Sequence, residues 1–194
     1  MFRAIILVFC TILISAGPAA AHVEGGLAGG FGSGFAHPLL GLDHIAAMVA
    51  VGLWGAFLGA PAIWVLPIVF PLVMAFGGIL GIVGMPLPGV EIGIAISAVV
   101  LGLMVALAVK PHLAVAAVIV GAFAIFHGYA HGAELPEDSN AVAYSAGFVI
   151  ATGVLHLCGI AIGLLTHWPA GRIAVRFAGS AIAIAGLVFL GKLI

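Results

Sequence analysis

The chain has 194 residues, 65% of them hydrophobic and 6% charged, with a formal net charge of −1 and a mean hydropathy of +1.42. A soluble domain needs far more charge to coat its surface, so the composition implies an integral membrane protein. It excludes a soluble enzyme, a disordered tail and a nucleic-acid-binding patch, and the near-zero net charge excludes a polybasic partner surface.

The N-terminus reads as a secretory leader. Arg3 is its positive end, residues 4–15 are a short apolar core, and Ala19-Ala20-Ala21 offers a small-residue cleavage site before His22. Pro18 and the shortness of the apolar core argue against an uncleaved span. Residues 1–21 are therefore expected to be a cleavable signal peptide, and residues 22–194 a single transmembrane domain. Of the two cysteines, Cys10 leaves with the leader, so with Cys158 it makes no disulfide framework.

Residues 22–36 are Gly-rich and read as irregular. Six apolar segments follow, near residues 37–59, 62–83, 91–109, 113–132, 141–165 and 173–193. Ala60-Pro61, the Pro/Gly run at 84–89, Lys110-Pro111, the polar run at 134–140 and residues 166–171 separate them. Pro67 and Pro71 fall inside the second segment, where a membrane helix tolerates a kink. The expected fold is an all-α membrane protein of six transmembrane helices. The spans divide three plus three with opposite topology, the layout of inverted-repeat transporters, although internal sequence similarity is not evident.

Basic residues set the orientation. A leader sends the mature N-terminus outside, and alternation then puts Lys110, Arg172 and Arg176 inside, as the positive-inside rule requires, with only Lys192, near the C-terminus, outside. Glu24, Glu91, Glu134, Glu137 and Asp138 fall outside, and both termini of the mature chain are external. A leader also implies a bacterial inner membrane.

Two segments carry ionisable groups in otherwise apolar spans: His37-Pro38-Leu39-Leu40-Gly41-Leu42-Asp43-His44, and Phe126-His127-Gly128-Tyr129-Ala130-His131-Gly132-Ala133-Glu134. Such groups in hydrocarbon are costly and mark function or a partner. On one continuous helix His37 and His44 share a face, with Met48 extending it. Asp43 points aside, toward a neighbour or an imidazole. His127 and His131 form an i,i+4 chelating pair, and Glu134 continues their face. With about 1.5 Å of rise per residue, Asp43 and His127 each lie roughly 10 Å from their helices' outer ends, so the two motifs meet at one depth. Imidazoles with carboxylates suit a divalent transition metal and fit calcium or magnesium poorly. Gly41, Gly52, Gly128 and Gly132 let these helices approach closely.

The remaining candidates have plainer readings. His112, His156 and His167 are hydrogen-bonding packers. Met48, Met74 and Met104 are core filler, and Trp54, Trp64 and Trp168 are interfacial anchors. His22 would become the mature N-terminus, where its amine and imidazole can chelate a metal and hand it to His37. Bis-histidine haem ligation by His44 and His127 is an alternative, but it leaves Asp43 and Glu134 without a role. An intramembrane metalloenzyme lacks both the His-Glu-x-x-His zinc pattern and a nucleophile beside the histidines.

Both motifs resemble those of the HupE/UreJ family of nickel permeases: His37-x5-Asp43-His44 with Pro38, Gly41, Met48, Val51-Gly52 and Trp54, and Phe126-His127-Gly128-x-Ala130-His131-Gly132-x-Glu134. The leader and the six-segment layout match as well. The resemblance implies secondary uptake of nickel, or cobalt, for metalloenzymes such as hydrogenase or urease. It implies that His37, Asp43, His44, His127, His131 and Glu134 line the metal path, with the ion as cargo and no permanently bound cofactor. The expected partners are the metal and the bilayer, with no nucleic acid; self-association into a homo-oligomer is left open.

Overall fold

The computed structural model describes residues 27–135 and 139–194, and all seven of its α-helices are apolar. In chain order they are α1 (Leu27–Leu40), α2 (Leu42–Leu58), α3 (Ala62–Ile82), α4 (Val90–Ala106), α5 (Leu113–Ala133), α6 (Ala141–Gly163) and α7 (Pro169–Gly191), with a 3-10 turn Leu164–His167 between the last two. Helices α3, α5, α6 with its 3-10 turn, and α7 are each long and apolar enough to cross a membrane. At 17 residues, α4 reaches about 25 Å, just short of a typical hydrocarbon core. The protein is a multi-pass membrane protein. The expected leader at 1–21 and His22 lie outside the described residues.

The first helical segments depart from expectation. Residues 27–40 are helical rather than irregular, and the chain then bends by 81° into α2. Gly is a poor helix former in water. In lipid, however, every backbone group must bond internally, and a Gly-rich helix packs closely. Gly34 lies against the backbone of Tyr144, and Gly147 against that of Phe31 and Phe35. The break falls at Gly41, whose extended ψ of 111° stops one helix while its carbonyl accepts the first bond of the next, from Ile45 N–H at 2.9 Å. His37 and His44 therefore do not share the face of one helix; they sit on two segments folded toward each other.

Three helix pairs form the frame: α3 with α5, α2 with α6, and α4 with α7. Each is a glycine interlock. Gly77 and Gly81 of α3 meet the backbone of α5, and Gly128 and Gly132 of α5 meet that of α3. Gly52 and Gly159 do the same between α2 and α6, and Gly102 and Gly179 between α4 and α7. Any side chain there would strike backbone, so these pairs run at the closest separation helices allow. Further contacts join α4 to α5, α7 to α2, α3 to α6, and α2 to both α3 and α4. Pro67 and Pro71 stay inside an uninterrupted α3.

Helix ends follow local chemistry. Asn140 caps α6 by accepting from Ala143 N–H at 2.9 Å, and His112 caps α5 by accepting from Ala114 N–H at 3.3 Å. Pro169 opens α7 at its first turn, four residues before the expected start. Trp64 and Trp168 are exposed as an interfacial anchor should be, but Trp54 is fully buried. Its indole N–H donates to the Val109 carbonyl at 3.0 Å, tying the end of α2 to the α4–α5 connection.

Candidate metal site

The bent helix pair α1–α2 and the C-terminal turns of α5 bring both sequence motifs to one end of the bundle. Imidazole ring centres lie 4.7 Å apart for His37 and His131, 4.6 Å for His44 and His131, and 5.0 Å for His44 and His127. His37 and His44 are 6.4 Å apart. Four histidines from three helices thus form one contiguous group. Glu134, just beyond the last turn of α5, places Oε2 3.8 Å from His37 Nε2. One donor atom each from His37, His131 and Glu134 can be chosen so that all lie within 4.8 Å of one another. Tetrahedral coordination at about 2.0–2.1 Å needs donors about 3.3 Å apart, so side-chain rotations of about an ångström would close the set on an ion.

Asp43 and His44 are a preorganised unit. Asp43 Oδ1 accepts from His44 Nδ1–H and from His44 backbone N–H, both at 2.8 Å. With Nδ1 donating to the carboxylate, Nε2 carries the free lone pair, the arrangement that orients and strengthens a metal-binding imidazole. Nε2 is buried and has no partner among the described residues. Gly41 makes room for this pair: a β-carbon there would sit 2.9 Å from His44 Nδ1 and 3.0 Å from Asp43 Oδ1.

His127 is set in the same way by a residue the sequence did not flag. Ser97 of α4 donates its hydroxyl to the Ile94 carbonyl at 2.6 Å. Its oxygen is then the acceptor for His127 Nε2–H at 3.0 Å. His127 Nδ1 is left with a lone pair and, like both nitrogens of His131, is buried without a partner. Buried polar atoms are nearly always bonded, and here four imidazole nitrogens at one place are left free to accept a partner.

An open cavity of about 330 Å³ leads to this group. His37, His44 and three carboxylates, Asp43, Glu91 and Glu134, line it. Glu91 is the second residue missed as a site candidate: at the first turn of an apolar helix it reads as a helix-end charge. Side-chain exposure falls from 57% at Glu134 through 35% at His37 and 29% at Asp43 to 11% at His44. His131 and His127 lie deeper still, at 6% and 0% residue exposure. Acid is thus concentrated at the mouth and imidazole in the interior. A separate, mostly apolar cavity of about 270 Å³ between α3, α5 and α6 touches His131 from the other side, beside Tyr144 and Phe148.

A multi-pass helical bundle with a histidine–carboxylate group opening to one end is the class of protein this fold and site define. The chain belongs to the HupE / UreJ protein family, whose model matches residues 10–189. It is 50% identical to Protein HupE of Rhizobium leguminosarum bv. viciae over 181 residues, 93% of this chain and 95% of that one. No solved structure matches it.

Proposed function

We propose that this protein is a secondary permease that takes up a divalent transition metal, nickel first and cobalt second, through the His37–Asp43–His44–His127–His131–Glu134 group. The observation that carries this reading is the graded mouth: Glu134 and His37 at the opening, then Asp43, then three buried imidazoles, His44, His131 and His127, which hold four ring nitrogens with no partner among the described residues. The acidic rim raises the local concentration of a cation. The imidazoles then replace its waters one by one, and their borderline-soft nitrogens favour late first-row metals over calcium or magnesium. His22, on the segment preceding α1, is an added capture ligand in this reading.

The same reading makes α1–α2 one bent span and α4 a short one, giving six spans after a cleaved leader, in a bacterial inner membrane with the mouth outside. Helix packing supports a three-plus-three repeat. Exchanging α2, α3 and α4 for α5, α6 and α7 turns the α3·α5 pair into α6·α2 and α4·α5 into α7·α2. It leaves α4·α7 and α3·α6 unchanged, and these pairs occur, whereas the α2·α3 and α2·α4 contacts have no comparable counterparts in α5·α6 and α5·α7, so the repeat is approximate. The ion is cargo for metalloenzyme maturation, as in hydrogenase or urease systems, and the protein is a transporter rather than an enzyme. Haem ligation by His44 and His127 is disfavoured by their rings, which meet edge-on at 5.0 Å and leave no slot for a flat macrocycle between them.

The test is uptake into proteoliposomes, with Ni²⁺, Co²⁺, Zn²⁺ and Mn²⁺ compared under imposed proton gradients. Saturable Ni²⁺ entry that is lost in His131→Ala supports the reading; entry no faster than in protein-free vesicles would overturn it.

A further inference from the structure

Below the mouth, the face of α6 that meets the histidine group continues as a ladder at four-residue spacing: Tyr144, Phe148, Thr152 and His156. Four residues is one turn, so these side chains share a face. The top of the ladder touches the mouth group directly. The His37 ring centre lies 6.1 Å from that of Tyr144, and His131 lies 4.0 Å from Phe148. The bottom lies about 18 Å further along the helix. Three of the four residues carry a buried polar atom with no partner among the described residues: the Tyr144 hydroxyl, Thr152 Oγ1 and His156 Nε2. Thr152 is 0% exposed and His156 1%. A threonine hydroxyl in a helix ordinarily bonds the carbonyl one turn back, and Thr152 does not.

His156 also has the ligand-ready tautomer. Its Nδ1–H donates to the Met48 carbonyl of α2 at 2.8 Å, which leaves the lone pair on Nε2. A single ring separates it from the mouth group: Phe70 of α3 lies 5.5 Å from the His127 ring centre and 5.3 Å from that of His156. Rings therefore run without a gap from half-exposed His37 through His131, His44, His127 and Phe70 to His156. A buried histidine can leave a ring nitrogen unbonded only at the desolvation cost of that group. This one anchors one nitrogen and holds the other unbonded in the core, where leaving it so is costly.

We propose that His156 Nε2, with Thr152 Oγ1 one turn above it, is an inner binding position for the same transition-metal ion, reached from the mouth past Phe70. The proposal rests on the permease reading. The inner position has fewer donors than the mouth and no carboxylate among those named here. It therefore holds the ion more weakly, as onward movement requires.

The experiment reads metal at residue 156 directly. In a background with Cys10 and Cys158 replaced by serine, His156→Cys puts a thiol there. The purified full-length protein in lipid nanodiscs is titrated with Co²⁺, and thiolate-to-cobalt charge-transfer absorption reports a Co–S bond. The expected result is that band in His156→Cys and its absence in the cysteine-free parent. In parallel, His156→Leu should lower Ni²⁺ uptake at least tenfold while changing Ni²⁺ affinity at the mouth less than twofold. No charge-transfer band once the mouth is saturated, or parental uptake by His156→Leu, would overturn the proposal. If His156→Leu does not accumulate, the cobalt spectrum decides alone. If the parent itself takes up no metal, the permease reading fails, and the spectrum still tests whether metal reaches residue 156.

Discussion

Asp43→Asn isolates what the carboxylate does. Asp43 Oδ1 accepts two bonds of 2.8 Å from one residue, His44 N–H and Nδ1–H. An asparagine oxygen can still accept both, so the first turn of α2 should survive and the protein should accumulate at the parental level. What disappears is the charge. A hydrogen bond to a charged group contributes about 1.5–3 kcal/mol, against about 1 kcal/mol for a neutral one. The loss at the imidazole is then about 0.5–2 kcal/mol, or roughly two- to thirtyfold in affinity at about 1.4 kcal/mol per decade. Loss of an orienting carboxylate behind a metal-binding histidine costs about 10- to 100-fold elsewhere. Ni²⁺ binding to Asp43→Asn, measured by isothermal titration in detergent, should therefore weaken at least tenfold, and vesicle uptake at low Ni²⁺ should fall in step. An affinity within twofold of the parent would refute the reasoning and reduce Asp43 to a helix-end residue.

Three further outcomes follow from the geometry. Gly41→Ala adds a β-carbon 2.9–3.0 Å from the Asp43–His44 pair at a φ of −86° that any residue adopts; it should separate that pair and weaken Ni²⁺ binding at least tenfold with little loss of fold, and parental binding would contradict the described break. Gly128→Ala drives a methyl into the Met74 carbonyl and to 2.9 Å from Gly78 N; it should cost about 1–3 kcal/mol as overpacking does, read as a lower unfolding midpoint in detergent, and an unchanged midpoint would show that α3 and α5 are not so close. Finally, imidazole binds metal only when unprotonated, and with an ordinary histidine pKa of about 6.5, Ni²⁺ affinity should be flat above about pH 7.5. On acidification it should fall by up to about tenfold per unit for each proton displaced, and a constant affinity between about pH 5 and 8 would argue against histidine ligation.

Much of the fold could be read from apolar runs and breakers, because lipid allows few structures and Pro or Gly clusters punctuate them. The expected 62–83, 113–132 and 141–165 segments lie within a few residues of α3, α5 and α6. The first span could not be read this way. Its glycines look like a loop by propensity measured in water, yet in the bundle they are the surface that lets α1 lie against α6. The break at Gly41 was hidden for a related reason: a glycine inside an apolar run signals close packing as often as a bend. At the site, the histidines and acids stood out because such groups are rare in hydrocarbon. Ser97 did not, since a lone serine in a small-residue helix carries no signal until the His127 ring is found 3.0 Å away. Glu91 stood out only as one of the acids on the outer side, and only the fold brings it to the cavity beside His37 and His44.

The 81° bend between α1 and α2 has a thermodynamic consequence. His37 rides on one rigid segment and His44 on the next, so an ion held by both is a strut across a joint. Part of its coordination free energy goes into fixing the angle of that joint. Linkage makes the exchange reciprocal: whatever tilts α1 alters affinity by the same factor by which the ion resists the tilt. The α1–α6 interlock at Gly34 and Gly147 is the other restraint on that angle. A lever built this way would let a change made at the helix surface, well away from any ligand, be felt as a change in how firmly an ion bridging His37 and His44 is held.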